Sequence, residues 1–170
     1  FRPLVGQFAL AQPMRDPIAR DAARLPRFLK QMAQNALRNP VPLGWLGNIE
    51  TQQVDGRTVL DLKFHGAMVY VDAARVMALA AGVASTGTRD RLEAAGRALN
   101  VPAGEREAWV SGFEYLQRLR LRAQVANAGT PSRPNLIDIE SLNDIDRRVL
   151  KETLRVAKRL QQRMELDYLR

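Results

Sequence analysis

The sequence contains no cysteine and a single histidine, His65, among its 170 residues. The lack of cysteine excludes a disulfide framework, a zinc–thiolate site and a thiol nucleophile. A reducing compartment fits this composition, and we expect a cytoplasmic protein. Acid–base or metal chemistry based on histidine needs partner residues that a lone histidine lacks. We therefore interpret His65 as a surface or hydrogen-bonded residue.

Aromatic residues make up only 6% of the chain, which disfavours the stacking platforms of proteins that bind single-stranded nucleic acids. No uninterrupted apolar stretch reaches the roughly 20 residues that a membrane helix requires, so we expect no membrane contact. The opening stretch FRPLVGQFALAQPM lacks the charged head and continuous apolar run of a secretory signal. Because the chain opens on Phe1 rather than methionine, we expect it to be a fragment of a longer polypeptide.

Positive charge is present in excess, with a formal net charge of +8. Such a charge favours polyanionic partners, which include nucleic acids, nucleotides and acidic protein domains. The basic residues are nevertheless spread through all the predicted helices and often adjoin acids, as in Asp146-Arg147-Arg148. Binding to nucleic acid is therefore the least favoured of the functions considered.

The length suits one domain with a single hydrophobic core. We expect residues 1–15 to be a connector from an upstream region and residues 16–170 to form one helical domain. Asp16 followed by Pro17 predicts a helix start, and Pro26 should kink that helix or split it in two. Asp55-Gly56 between β-branched residues predicts a β-hairpin at about 47–64, in which Asp61 and Lys63 share one face of the second strand.

Apolar residues at helical spacing predict four further helices. They run from about Met68 to Ala81, from Thr88 to about Leu99, from about Gly104 past Ala123, and from about Leu142 to the end of the chain. Gly82 should end the first of these, residues 129–135 should form a loop, and we expect Tyr168 and Leu169 to be exposed. The predicted fold is mainly α, a helical bundle of five to six helices with one β-hairpin.

The requirements of nucleotidyl transfer are poorly met by this sequence. The reaction needs a glycine-serine turn on a strand and two or three carboxylates, because magnesium must bridge the phosphates and the attacking group. The closest arrangement is Gly129-Thr130 followed by Asp138 and Glu140, where neighbouring prolines disfavour the necessary strand. We predict that this chain has no catalytic residue, no metal site and no cofactor of its own.

Charged residues at helical spacing interrupt the apolar stretch 61–92. Asp72 and Arg75 stand three apart on one helix face, and a buried face tolerates them only when they are paired. The candidate substrate-binding residues are Asp61, Lys63, Asp72, Arg75, Arg91, Arg118 and Arg122. Their arginine and lysine side chains could hold a nucleotide phosphate or an acidic peptide. Alternatively, the set is a salt-bridge network that ties the hairpin to the helices.

Several short segments, taken in order, resemble a known family. They are Pro42-Leu43-Gly44-Trp45, Asp61-Leu62-Lys63, Gly66, Val71-Asp72-Ala73-Ala74-Arg75, Ala78-Leu79, residues 88–92, Leu119-Arg120-Leu121-Arg122 and residues 147–160. From about Pro42 onward the chain resembles the putative nucleotidyltransferase substrate-binding domain. Domains of this family lie at the C-terminal end of bacterial signalling proteins that carry cyclic-nucleotide-binding, CBS and nucleotidyltransferase modules upstream.

This resemblance implies a non-catalytic substrate-binding or accessory module of a larger signalling protein. Its partner would be the upstream nucleotidyltransferase domain of the same chain, and magnesium and nucleoside triphosphate would belong to the parent protein. The alternative is a helical protein-interaction or dimerisation module, whose ligand is a protein substrate or a second copy of the chain. Fold membership alone does not decide between these functions.

Overall fold

The computed structural model describes residues 5–6, 8–128 and 133–169, and this part of the chain is mainly α. Six α-helices pack with a small antiparallel sheet of three strands, which confirms the predicted fold class. The helices are α1 (Ala11–Ala22), α2 (Pro26–Ala36), α3 (Met68–Ala80), α4 (Thr88–Ala98), α5 (Ala103–Ala126) and α6 (Asp144–Tyr168). The strands are β1 (Gln52–Val54), β2 (Arg57–Asp61) and β3 (Leu136–Asp138). None of the described helices has the length and apolar character needed to cross a membrane.

Helix α3 is the centre of the bundle, as its nearly continuous apolar character predicts. It packs against α1, α2, α4 and α6. Its buried residues are Val69, Tyr70, Ala73, Ala74, Val76, Met77 and Ala78. The helix ends where the sequence predicts, because Gly82 adopts a φ of +67° that disfavours residues with a side chain.

The Asp55-Gly56 turn joins β1 to β2, and its φ values of +50° and +75° are those of a two-residue hairpin turn. The predicted hairpin is therefore confirmed. Strand β2 also pairs with β3 in antiparallel register, with Val59 opposite Asp138. The third strand begins directly after the predicted loop 129–135, of which residues 129–132 lie outside the described part of the chain, and the sequence pattern predicts no strand there. Three residues are too few to show an alternating pattern, and pairing with β2 fixes their conformation.

The N-terminal helices differ from the prediction in one boundary. Helix α1 begins at Ala11, so Pro17 lies inside the helix rather than in its first turn. A proline removes one helical hydrogen bond, and here it does not end the helix. The predicted split is confirmed, since Pro26 occupies the first turn of α2, where an N–H is not needed. The role of residues 1–15 as a connector stays a prediction.

Strand β2 gives way to a π-helical turn over Lys63–Ala67. The Asp61 carboxylate accepts hydrogen bonds from the backbone N–H groups of Lys63 at 2.8 Å and Phe64 at 3.0 Å. These bonds turn the chain out of the strand. The prediction that Asp61 and Lys63 share a strand face is therefore wrong.

The C-terminal apolar residues are also placed differently from the prediction. Tyr168 and Leu169 are partly buried and pack on the hydrophobic core, rather than being exposed. Burial raises the pKa of Tyr168 to about 12. These two side chains therefore contribute to the core of the fold.

Candidate functional site

Three arginines from three helices converge near the loop between α3 and α4. Arg15 of α1 donates from Nη2 to the carbonyl oxygen of Ala84 at 2.5 Å. Arg91 of α4 donates from Nε to the carbonyl oxygen of Ser85 at 2.7 Å. Two consecutive carbonyl groups therefore hold two guanidinium groups close together. Arg75 of α3 is near enough to Arg91 to act on its charge.

Asp72 is the carboxylate that pairs with Arg75. Its Oδ1 lies 3.2 Å from Nη1 of Arg75, and the Asp72 side chain is only 18% exposed. Burial raises the pKa of Asp72, and the charge of Arg75 opposes this rise. The predicted ion pair is thus confirmed. We refer to Arg15, Asp72, Arg75 and Arg91 as the arginine cluster, which contains three cations and one carboxylate.

The environment of Arg91 disfavours its charged form. Burial lowers the pKa of Arg91, and the positive charges of Arg75 and Arg15 lower it further. An anion bound among these side chains would replace repulsion by attraction. The guanidinium group suits this role, because its planar fork of N–H donors matches the oxygen atoms of a phosphate or a carboxylate.

The short connection between α3 and α4 brings the cluster together. Arg75 lies in the C-terminal half of α3 and Arg91 in the first turn of α4. The residues between the two helices reverse the direction of the chain, and this places the end of α3 next to the start of α4. A cavity of about 580 Å³ adjoins Ala84 and extends to Arg20 and the C-terminal end of α3. Its lining includes the carboxylate of Asp16 and none of the four side chains of the cluster, so the cavity lies next to the cluster rather than within it.

Three of the seven residues predicted from the sequence belong to the cluster, namely Asp72, Arg75 and Arg91. Sequence reasoning missed Arg15, because it lies in the stretch expected to be a connector. No periodic pattern marks that stretch, so no local signal could have identified Arg15. Its position follows from the packing of α1 on α3.

The remaining four predicted residues make other contacts. Asp61 caps the π-helical turn, and the Lys63 ammonium lies 5.2 Å from the ring centroid of Phe64. Arg118 pairs with Glu114 of the same helix at 3.7 Å, and Arg122 reaches Asp146 of α6 at 3.6 Å. Exposed ion pairs of this kind contribute little to stability. Only the Arg122 pair joins two α-helices, α5 and α6, and none of these four contacts ties the hairpin to an α-helix.

Two further cavities contain residues from this set. One, of about 540 Å³, lies between the hairpin, residues 40–43 and α6, and is lined by Asp61 and His65. The other, also of about 580 Å³, lies between β2, β3 and α5, and is lined by Arg122 and Arg133. Arg133 there pairs with Asp55 at 2.8 Å. The charged groups of both cavities thus bond largely to the protein itself.

The carboxylates considered for catalysis have structural contacts. Asp138 Oδ1 accepts a hydrogen bond from the backbone N–H of Glu140, and Glu140 Oε1 accepts one from the Thr58 hydroxyl, each at 3.0 Å. Gly129 and Thr130 lie outside the described residues. Within the ranges that are described, no group of three or more acidic or histidine side chains is placed to hold a metal ion.

The fold defines a helical module, and sequence comparison gives its family. Residues 26–168 match the putative nucleotidyltransferase substrate binding domain. The chain belongs to this family, which confirms the resemblance and extends it upstream to Pro26. No curated protein and no solved structure matches the chain. The family description refers to substrate binding, which is consistent with an accessory module.

Proposed function

We propose that this chain is the non-catalytic substrate-binding module of a nucleotidyltransferase, and that the arginine cluster holds an anionic group of the substrate. The observation that carries the proposal is the attachment of Arg15 and Arg91 to the consecutive carbonyl groups of Ala84 and Ser85. Family membership supports a role in binding the substrate. The phosphate group of a nucleotide and the carboxylate group of an acidic peptide are both suitable ligands.

Hydrogen bonds to the loop carbonyl groups hold the Arg15 and Arg91 side chains in position before an anion binds. Each bond uses one N–H of a guanidinium group that has five, so donors remain for a ligand on both Arg15 and Arg91. Side chains that are already held lose less conformational entropy when they bind. Arg75 adds a third charge, which is shared with Asp72.

Catalysis in this proposal belongs to a nucleotidyltransferase domain elsewhere in the parent protein. That domain supplies the metal-binding carboxylates and takes the magnesium ion and the nucleoside triphosphate, while this chain presents the substrate. The family description implies a partner of this kind. We further propose that the parent protein is a cytoplasmic signalling protein of bacteria.

A binding measurement tests the role of the cluster. Calorimetric titration with ATP, which serves here as a soluble phosphate probe, in the absence of metal should show binding that weakens at least about tenfold in Arg91→Ala and in Arg75→Ala, since a charge-assisted hydrogen bond contributes about 1.5 to 3 kcal/mol. Arg118→Ala is the matched control, because it removes an exposed arginine of α5 and should leave the affinity unchanged. Circular dichroism should show the same helix content in all three variants.

Two results would contradict the proposal. Equal affinity of the original chain and all three variants would show that the cluster does not bind the anion. A loss in Arg118→Ala as large as that in Arg91→Ala would show that ATP responds only to total charge. Titration with inorganic phosphate separates recognition of the anion from recognition of the nucleoside.

A further inference from the structure

The two tryptophans of the chain have opposite environments. Trp109 is 1% exposed and lies in the core, whereas Trp45 is 98% exposed and its neighbour Leu46 is 77% exposed. An indole in water gains none of the free energy that its burial would provide, about 2 to 3 kcal/mol. Tryptophan is also enriched among the residues that dominate the binding energy of protein interfaces. Trp45 therefore has the properties of an anchor residue.

Backbone hydrogen bonds hold the turn that presents Trp45. The N–H of Gly44 donates to the carbonyl oxygen of Asn48, and the N–H of Gly47 donates to that of Gly44, both at 2.9 Å. At the base, Leu43 and Ile49 form an antiparallel bridge. We refer to residues 42–50 as the tryptophan turn. Main-chain contacts fix the conformation of this turn, and the indole takes no part in them.

Helix α6 supports the chain at the foot of this turn. The Gln161 side chain donates to the carbonyl oxygen of Asn39 at 2.8 Å and accepts from the N–H of Val41 at 3.2 Å. Lys158 donates from Nζ to the carbonyl oxygen of Leu43 at 3.2 Å. An anchor presented on a fixed base costs little conformational entropy to bind.

The exposed face of α6 beside the turn is basic. A Cβ atom built on Gly47 would lie 3.6 Å from Nη2 of Arg155 and 3.9 Å from Cε of Lys151. Glu152 is shared between Arg155 at 3.1 Å and Arg159 at 3.3 Å. The basic residues of this face are Arg148, Lys151, Arg155 and Arg159. Positive charge therefore lies on the side of the turn next to Gly47, whereas the Glu50 carboxylate lies beside Gly44.

We propose that the tryptophan turn and the basic face of α6 form a docking surface for the nucleotidyltransferase domain of the parent protein, which receives the indole in an apolar pocket with an acidic rim. This inference rests on the proposed function. A nucleotidyltransferase site clusters carboxylates to hold magnesium, so acidic surroundings there complement the basic face. A second copy of this chain, with its formal charge of +8, would bring charge of the same sign.

Photo-cross-linking in the full-length parent protein tests this assignment. With Trp45→benzoylphenylalanine, mass spectrometry should find cross-linked peptides from the nucleotidyltransferase domain. Leu121→benzoylphenylalanine is the control, because Leu121 is also apolar and 61% exposed but lies on α5. Cross-links from position 45 to a second copy, to other domains only, or to nothing would overturn the proposal.

Charge reversal tests the contribution of the basic face. Lys151→Glu, combined with the photo-reactive residue at position 45, should reduce the cross-link yield at least fivefold at low salt. Arg118→Glu changes the charge equally on α5 and should leave the yield unchanged. Equal yields in both variants would overturn the role of the basic face.

The proposals for the docking surface and for the arginine cluster can be disproved independently of each other. Arg91→Ala should weaken ATP binding and leave the cross-link from position 45 intact. A cross-link to the nucleotidyltransferase domain, together with ATP affinity that is insensitive to Arg91 and Arg75, would overturn the proposed role of the cluster alone. ATP binding that depends on the cluster, without the cross-link, would overturn the docking surface alone.

Discussion

The Tyr70 hydroxyl donates a hydrogen bond of 2.8 Å to the carbonyl oxygen of Thr153 and so joins α3 to α6 inside the core. The Tyr70 side chain is fully buried, and a buried hydroxyl without a partner would carry a substantial desolvation cost. Gly112 of α5 lies against the same hydroxyl. Three helices therefore meet at one polar contact that fixes their relative positions.

Loss of this hydroxyl should destabilise the fold. We expect Tyr70→Phe to lower the free energy of unfolding by about 1 to 2 kcal/mol, because a buried hydrogen bond between α3 and α6 disappears while the ring remains. Urea unfolding followed by circular dichroism measures the change. An unfolding curve identical to that of the original chain would show that the bond contributes nothing net.

Gly112 is expected to resist substitution. A Cβ atom at this position would overlap the Tyr70 hydroxyl and lie 3.1 Å from its Cζ, so Gly112→Ala should cost about 1 to 3 kcal/mol by overpacking. Gly104 lies in the same helix and has no atom within 4 Å of a Cβ built there. Gly104→Ala should be neutral or stabilise by up to about 1 kcal/mol. Equal melting temperatures for the two variants would contradict the expected overlap.

Stability should fall at alkaline pH. Burial raises the pKa of Tyr115 and of Tyr168 to about 12, and it raises the pKa of Tyr70 above the usual range. Tyrosine in the unfolded chain has a pKa of about 10. The stabilisation is therefore complete below pH 10 and is lost as the pH rises from about 10 through 12, since the unfolded state releases protons that the folded state keeps.

Urea unfolding at a series of pH values between 8 and 12 measures this dependence. Tyr70→Phe should lose stability less steeply above about pH 10, because one of the three linked groups is absent. A free energy of unfolding that stays constant over this range would contradict the raised tyrosine pKa values.

Asp72 should weaken anion binding at the arginine cluster. We expect Asp72→Asn to raise the affinity for ATP about two- to fivefold, because a carboxylate that competes for Arg75 is removed and a partly exposed pair contributes up to about 1 kcal/mol. Glu114→Gln is the control, since Glu114 pairs with Arg89 and Arg118 instead. A fall in affinity in Asp72→Asn would place Asp72 among the groups that contact the ligand.

The Gln161 side chain should hold the segment at the foot of the tryptophan turn in place. We expect Gln161→Leu to cost about 2 kcal/mol and to speed amide hydrogen exchange at Val41, whose N–H would lose its partner. Gln162→Leu changes the next residue of α6, which is exposed, and should leave exchange at Val41 unchanged. Slow exchange at Val41 in both variants would show that other contacts hold the segment.

Features with a local signal were predictable from the sequence. The apolar run and Gly82 locate α3, the Asp55-Gly56 pair locates the hairpin, and helical spacing pairs Asp72 with Arg75. In each case the residues that determine the conformation lie within a few positions of one another. Short-range steric preferences and periodicity are sufficient there.

Features that depend on distant contacts were not predictable. Strand β3 exists through its pairing with β2, and Arg15 joins the cluster because α1 packs on α3. The exposure of Trp45 is set by the geometry of its turn, although an aromatic residue ordinarily suggests a core position. Spacing along the chain carries no information about such contacts.

The Tyr70–Thr153 bond also relates the two proposed surfaces. Arg75 and Asp72 lie on α3, and α6 supports the tryptophan turn, so the bond joins the helices on which both surfaces depend. The separation between the guanidinium groups and the indole is consequently a property of the core, independent of any linker. A domain that binds the indole would therefore lie at the same distance from the bound anion in every molecule.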